Sequence, residues 1–249
     1  MWTELNETTS EEEQIIEQQA PVSEPPAPFH GVSSLPKMTG EVPVRTRMVL
    51  WGITLMALWY VFTTVSKYLT VTRETYGIFW PRHQWLFAHA IAGTFALVVG
   101  PIQFYLGLKR EQPSLHRVLG MTYVACTFIG GISALYLAAH TVYGWMYGAG
   151  LTLMAVVWMA TTSIAVAAIW QGLAGLHRQW IIRSYVLTFG FVMLRLTTDI
   201  LEMANIGTLS ERLTFSAWVS WSVPLLFVEC VLQVKRLFAP KSAVQPVSD

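Results

Sequence analysis

The sequence predicts an all-α membrane protein, a bundle of six transmembrane helices preceded by a disordered N-terminal tail. Three observations predict this class. The 249-residue chain is 53% hydrophobic and only 12% charged, whereas about a quarter of the residues of a typical soluble domain are charged. Six apolar stretches each approach the roughly 20 residues that a helix needs to cross a bilayer. Aromatic residues mark many ends of these stretches, as is typical of membrane–water interfaces.

The first 42 residues differ in composition from the rest of the chain. They are rich in Glu, Gln, Ser and Pro, and they include three consecutive glutamates, Glu11, Glu12 and Glu13. Such a segment cannot bury enough apolar surface to offset its ordering entropy, so residues 1–42 are predicted to form a disordered acidic tail. The tail lacks the basic and apolar regions of a signal peptide, and the first apolar helix is therefore expected to remain as an anchor.

The predicted transmembrane domain covers residues 43–238, and a short C-terminal tail covers residues 239–249. The apolar runs are about twice as long as the strands of a membrane barrel and do not alternate, so they predict helices. The six predicted spans are Met48–Ser66, Trp85–Leu106, Val118–Ala139, Ala149–Trp170, Trp180–Leu201 and Phe215–Val234.

The distribution of Lys and Arg predicts the orientation of these spans. If the N-terminus is inside, eleven Lys or Arg residues fall in inner segments or, like Arg183, near the inner end of a span, four fall in outer segments, and Arg195 lies well inside the fifth span. Because inner loops carry the excess of basic residues, both termini are predicted to be cytoplasmic. The basic residues follow the inner boundary without forming a compact nucleic-acid-binding module, so no nucleic-acid partner is expected.

Two predicted helices begin with the same pair of residues. "LHRVLG" (Leu115–Gly120) and "LHRQWI" (Leu176–Ile181) each place a His-Arg pair at the cytoplasmic end of a span, so His116 and His177 are expected at the same depth. One interpretation is that these pairs contact lipid phosphates and set the topology. The other is that the two imidazoles are axial ligands of one haem iron, with neutralisation of the propionates by Arg117, Arg178 or Arg183.

The predicted fifth span carries a polar stripe along one face. A bare charge in hydrocarbon costs several kcal/mol, so the stripe is expected to face the bundle interior or a wet cavity. Arg195 and Asp199 stand four residues apart in this stripe and can form an ion pair. The pair either has a structural role in holding the bundle together or serves a function. At 100° per residue from His177, the stripe lies within about 40° of one line and consists of Ser184, Thr188, Arg195, Asp199 and Glu202.

The second span has a histidine on a face of small residues. His89 shares this face with Gly93, Ala96 and Gly100, an arrangement that either admits the flat face of a macrocycle or lets two helices approach closely. His140 ends the third span on the outer side. It is either an interfacial histidine or a partner of His89 on a second haem.

These motifs resemble a family of bacterial multi-pass predicted membrane proteins of unknown function. The resemblance implies a location in the cell inner (plasma) membrane. That family is distantly similar to the transmembrane di-haem b-type cytochromes, which implies haem b held between histidines. Those cytochromes take ligands from four successive helices, whereas the predicted fourth span here has no histidine. The resemblance rests on His89, "GPIQF" (Gly100–Phe104), "HRVLG" (His116–Gly120) and "HRQWIIRSYVLTFGFVMLRL" (His177–Leu196), in this order.

Three functions stay open on the sequence. The first is a membrane electron carrier that binds b-type haem and exchanges electrons with a quinone or an outer acceptor. The second is a transporter, sensor or lipid-handling protein that uses the polar stripe. The third is an accessory subunit of a larger membrane complex, with the acidic tail as its docking arm.

Overall fold

The computed structural model describes residues 42–110 and 112–238. Within these ranges there is no strand, and six long helices confirm the predicted all-α class. The predicted tails, 1–42 except Val42 and 239–249, lie outside the described residues. The helices are α1 (Val44–Tyr60), α2 (His83–Lys109), α3 (Pro113–Ala139), α4 (Trp145–Trp170), α5 (Ala174–Met203) and α6 (Leu209–Leu237).

The link between α1 and α2 is also helical but irregular. A π-helical segment (Val61–Val65) and a 3-10 segment (Ser66–Leu69) continue α1, and a helical turn (Arg73–Tyr76) and a second 3-10 segment (Gly77–Arg82) precede α2. The other links are short, and they place consecutive helices side by side and antiparallel. Between α4 and α5, for example, Gly172 takes a positive φ of 75°, which glycine adopts without a steric penalty.

Five helical stretches are long and apolar enough to cross a membrane: Val44–Leu69, Arg73–Lys109, Pro113–Ala139, Trp145–Trp170 and Leu209–Lys235. The protein is therefore a multi-pass membrane protein embedded in a lipid bilayer. The helix outside this set is α5, whose 30 residues give it a length of about 45 Å. It packs against α1, α2, α4 and α6, so neighbouring helices rather than lipid surround much of its polar surface.

Four helices form a ring around a common axis. The helices α2, α3, α4 and α5 each pack against the next, and α5 closes the ring on α2. Consequently α3 and α5 face each other across the axis and run parallel. Outside the ring, α1 packs against α2 and α5, and α6 packs against α4 and α5.

One contact joins two of the sequence motifs. Pro101 in α2 has no backbone N–H, so it cannot donate the helical hydrogen bond to the carbonyl of Leu97. The hydroxyl of Tyr185 in α5 donates to this carbonyl at 2.9 Å. A Cβ on Gly100 would lie 2.0 Å from Cε2 of Tyr185, so only glycine admits the ring. Residues of "GPIQF" in α2 and Tyr185 of the Arg183–Tyr185 stretch in α5 thus form one helix–helix contact.

Candidate functional site

A hydroxyl cluster occupies the axis of the ring. The hydroxyl of Tyr123 in α3 lies 2.8 Å from Oγ of Ser184 and 2.8 Å from Oγ1 of Thr188, both in α5. From α4, Nε1 of Trp158 donates to Oγ1 of Thr188 at 2.9 Å, and Oγ1 of Thr162 lies 2.7 Å from Oγ of Ser184. All five side chains are buried. This network holds α3, α4 and α5 together at the middle of the bundle.

His116 and His177 lie nearer the end of the bundle at which α3 and α5 begin, which is the predicted cytoplasmic end. They precede Tyr123 and Ser184, respectively, by seven residues, which is about 10 Å along a helix. Since the side chains of Tyr123 and Ser184 touch and their helices are parallel, the two histidines come to the same depth. The structure thus places the two His-Arg pairs at one depth, on helices that face each other across the axis.

Each of the two imidazoles keeps a ring nitrogen without a hydrogen-bond partner among the described residues. Nδ1 of His177 lies 2.8 Å from the carbonyl oxygen of Ala165 in α4. A proton on Nδ1 makes this hydrogen bond and leaves the lone pair on Nε2, which is the arrangement found in metal-ligating histidines. Nδ1 of His116 is buried, and it has no hydrogen-bond partner among the described residues.

The position of His116 depends on α2. A Cβ on Gly107 would lie 3.2 Å from Cε1 of His116, so the imidazole packs directly on the glycine. Nε2 of Gln103 donates to the backbone oxygen of His116 at 2.7 Å. The glutamine of "GPIQF" therefore places the start of α3 and, with it, the imidazole of His116.

Arg183 pairs with a carboxylate of α6. Its side chain is buried, Nε donates to Oε2 of Glu229 in α6 at 2.9 Å, and a second guanidinium nitrogen contacts the same oxygen. Its remaining terminal nitrogen donates to the carbonyl of Gln179 at 3.0 Å. The contact with Glu229 joins α5 to α6, and a role of Arg183 beside a haem propionate stays a prediction. Arg117 and Arg178 are exposed next to the histidines.

His89 and His140 do not form a pair. Nδ1 of His89 lies 3.0 Å from the carbonyl oxygen of Gly130, and its imidazole contacts the edge of Phe191. His140 is exposed, and its Nδ1 lies 2.8 Å from the carbonyl oxygen of Tyr136. Ten residues separate Gly130 from His140 on α3, which is about 15 Å. The structure therefore does not bring His89 and His140 together, and a second haem between them stays a prediction.

The polar stripe of α5 divides into two parts. Ser184 and Thr188 are buried in the hydroxyl cluster. The predicted pair forms, with Nε of Arg195 3.1 Å from Oδ1 of Asp199, but the side chains are 53% and 37% exposed, and Glu202 is exposed as well. Ser184 and Thr188 therefore face the bundle interior, whereas Arg195, Asp199 and Glu202 are at least partly exposed, and a wet cavity beside these three stays a prediction.

Sequence reasoning missed the residues that complete the cluster from α3 and α4. Tyr123 stands seven residues after His116, as Ser184 stands seven after His177, so the same periodicity that defined the stripe would have found it. Thr162 and Trp158 carry no such signal, and only the packing of α4 reveals them.

We call the line from His116 and His177 through the hydroxyl cluster to His89 the polar column.

The described residues contain no group of three or more His, Cys, Asp or Glu side chains that could hold a metal ion. A structural zinc site needs about four such ligands, and His116 and His177 supply two.

The fold and the polar column define a multi-pass helical membrane protein with a polar interior. A family model described as "Predicted membrane protein (DUF2306)" matches residues 86–232, which is more than half of the chain, and the protein belongs to this family. The match begins inside α2 and reaches into α6, and it includes the whole polar column. Neither the search of curated proteins nor the search of solved structures found a match.

Proposed function

We propose that this protein is a membrane electron carrier that binds one b-type haem between His116 and His177. One observation carries the proposal: two parallel helices present these histidines at one depth across the ring axis, and each imidazole keeps a nitrogen without a partner among the described residues. Haem iron supplies one-electron redox chemistry, and paired histidines are a known axial set for it.

The surrounding residues fit such a group. The hydrogen bond between His177 and Ala165 holds the imidazole with Nε2 available. Buried polar atoms are nearly always hydrogen-bonded, so the unpartnered Nδ1 of His116 indicates a place where the chain alone is incomplete. Arg117 and Arg178 directly follow the two histidines and are exposed, so they supply positive charge for the propionates. With no second pair of histidines in the described bundle, the proposal is limited to one haem.

The cellular arrangement is part of the same proposal. The excess of Lys and Arg in the predicted inner segments supports a location in the cell inner membrane with both termini in the cytoplasm. In that orientation the haem lies near the cytoplasmic side, and His89 and the exposed pair of Arg195 and Asp199 lie toward the outer side. A quinone within the membrane or an outer acceptor is the proposed redox partner.

An absorbance spectrum tests this function. Protein purified from haem-replete cells should show a reduced-minus-oxidised spectrum of the b type, and His116→Ala or His177→Ala should remove it. His140→Ala is the matched control, because that histidine is exposed and lies outside the polar column; its spectrum should equal that of the parent. Colourless parent protein, or an unchanged spectrum in both column variants, would overturn the proposal.

A transporter or sensor is the second candidate. It is favoured by the polar column together with the ion pair of Arg195 and Asp199, which is half-exposed at the far end of α5. This function predicts that Arg195→Ala abolishes flux or binding while the protein still folds and contains no cofactor. Flux or binding that survives Arg195→Ala would leave the pair with a structural role.

A further inference from the structure

The segment that links α1 to α2 concentrates positive charge on the predicted outer side. Of the four Lys and Arg residues predicted on that side, three lie in this link: Lys67, Arg73 and Arg82. Glu74 is the one acidic residue of the link, so residues 66–82 have a net charge of +2, three basic minus one acidic. None of the three basic side chains forms an ion pair with a carboxylate within the described part of the chain, so the link keeps its charge.

An aromatic cluster gives the link a compact structure. The cluster consists of Tyr68, Tyr76, Trp80 and His83. Trp80 and His83 stack with ring centroids 4.7 Å apart, and the Tyr76 ring meets His83 and Tyr68 edge-on at 6.2 and 5.5 Å. The hydroxyl of Tyr76 donates to the backbone oxygen of Tyr68 at 2.7 Å, and the side chain of Tyr76 is buried. The cluster therefore joins the 3-10 segment after α1 to the segment that precedes α2.

The aromatic cluster also orients two of the three cations. Nζ of Lys67 lies 5.0 Å from the centroid of the Tyr68 ring, and Cζ of Arg73 lies 5.7 Å from the centroid of the Trp80 ring. A cation at this distance from an aromatic ring is attracted to it, and the contact does not neutralise the charge. Both basic side chains are exposed. The link thus presents two oriented cations to a ligand.

The link lies at the depth of the lipid headgroups. The 27 residues of α2 give it a length of about 40 Å, whereas the hydrocarbon core is about 30 Å thick and the bilayer with its headgroup regions about 40–45 Å. His83 begins α2 and therefore lies in a headgroup region, as does the aromatic cluster that contains it. Tyr and Trp are enriched at this level. Large apolar side chains of the link are also exposed there, namely Leu69, Val71 and Ile78.

Charge and depth together select the partner. An acidic protein would match the charge, but it would have to enter the headgroup region to cover the exposed apolar side chains. A zwitterionic phospholipid would cover them, but its ammonium group would oppose the net charge of the link. An anionic phospholipid satisfies both conditions, because basic residues at the membrane surface attract its headgroup and its acyl chains cover apolar side chains.

We propose that the link between α1 and α2 binds an anionic phospholipid, with the phosphate at Lys67 and Arg73 and the acyl chains against Leu69, Val71 and Ile78. The site lies at the opposite end of the bundle from the two His-Arg pairs. It requires neither haem nor electron transfer, so it stands apart from the proposed function.

Photo-cross-linking in nanodiscs tests this site. The full chain is placed in phosphatidylcholine that contains a small, equal fraction of either phosphatidylglycerol or phosphatidylcholine with a diazirine in one acyl chain. Cross-links on peptides from residues 66–82 are then quantified by mass spectrometry. Because the two probes differ only in the headgroup, a preference for phosphatidylglycerol of at least tenfold, or about 1.4 kcal/mol, is expected in this segment.

Two pairs of variants separate a defined site from general attraction. Arg73→Gln should lower the preference about tenfold, as expected for a hydrogen bond to a charged group. Arg212→Gln is its control on the same predicted side, because that guanidinium donates to the backbone oxygen of Ile206 at 2.9 Å, and it should equal the parent. Trp80→Leu keeps every charge but removes the ring beneath Arg73 and should lower the preference about threefold. Trp145→Leu, which removes an exposed tryptophan at the start of α4, should have no effect.

Three results would overturn the proposal. Equal cross-linking of residues 66–82 by the two lipids would show that the link does not recognise the headgroup. Equal preferences in Arg73→Gln and Arg212→Gln, or in Trp80→Leu and the parent, would leave only general attraction between the membrane and basic residues. If Trp80→Leu does not fold, Arg73→Gln decides, because the side chain of Arg73 is exposed.

Discussion

At the residue scale, the neighbouring residues Gly100 and Pro101 show how a missing hydrogen bond within one helix allows a contact with another helix. Pro101 leaves the carbonyl of Leu97 without its helical donor, and the missing side chain of Gly100 opens the space through which Tyr185 reaches that carbonyl. Inside a membrane an unsatisfied carbonyl costs several kcal/mol. The contact therefore contributes to stability mainly by removing that cost.

This contact predicts unequal effects of alanine at two glycines of α2. Gly100→Ala places a methyl group 2.0 Å from Tyr185 and should lower the free energy of unfolding by about 1–3 kcal/mol, as overpacking does. Gly93→Ala meets nothing within 4 Å and should be neutral or slightly stabilising, because alanine favours helix. Thermal unfolding in detergent measures both, and equal melting temperatures for the two variants would contradict the packing argument.

At the scale of elements, the ion pair of Arg183 and Glu229 connects α6 to α5. A second polar connection joins α6 to α4, where Nε1 of Trp218 donates to the backbone oxygen of Met146 at 3.1 Å. Removal of one member of a buried ion pair leaves the other charge without compensation. The resulting loss of stability is larger than the net stabilisation that the intact pair provides.

We therefore expect Glu229→Ala to lower the free energy of unfolding by about 3 kcal/mol, because it strands a guanidinium whose side chain is only 10% exposed. Glu202→Ala is the control, since this glutamate is exposed at the end of α5, and it should change stability little. Chemical unfolding of both variants measures the difference. A Glu229→Ala variant as stable as Glu202→Ala would show that the ion pair does not contribute to the stability of the bundle.

At the scale of the whole molecule, helix number and the distribution of basic residues together predict the topology. If all six helices span the membrane, the chain returns to the side on which it starts, and the excess of Lys and Arg predicts that this side is the cytoplasm. The α4–α5 link should then face the cytoplasm and the α5–α6 link the opposite side. Gln171 in the first link and Ile206 in the second are both exposed.

Cysteine labelling checks this topology in a chain with Cys126→Ala and Cys230→Ala. A membrane-impermeant maleimide should label Ile206→Cys in intact spheroplasts and should label Gln171→Cys only after the membrane is opened. The reverse pattern would invert the orientation and move the histidine pair to the outer side. Labelling of both positions in intact spheroplasts would show that α5 does not span.

Much of the fold could be predicted because membrane physics acts on local composition. Each apolar run had to become a helix, since the bilayer interior offers no partner for backbone groups, and the observed helices contain or closely overlap the predicted spans. The shared His-Arg start of two helices likewise predicted the common depth of His116 and His177. A period of 3.6 residues identifies a face of a helix, but it does not identify the helix that the face will meet.

The sequence by itself determined the class of protein, its helices and the polar face of α5, because hydrophobicity and period are properties of consecutive residues. Only the tertiary structure decided the partners. It paired Arg183 with Glu229, separated His89 from His140, brought Tyr123, Trp158 and Thr162 to the column and left Arg195 exposed. These outcomes depend on which helices adjoin in the ring, and packing between segments distant in the chain determines that arrangement.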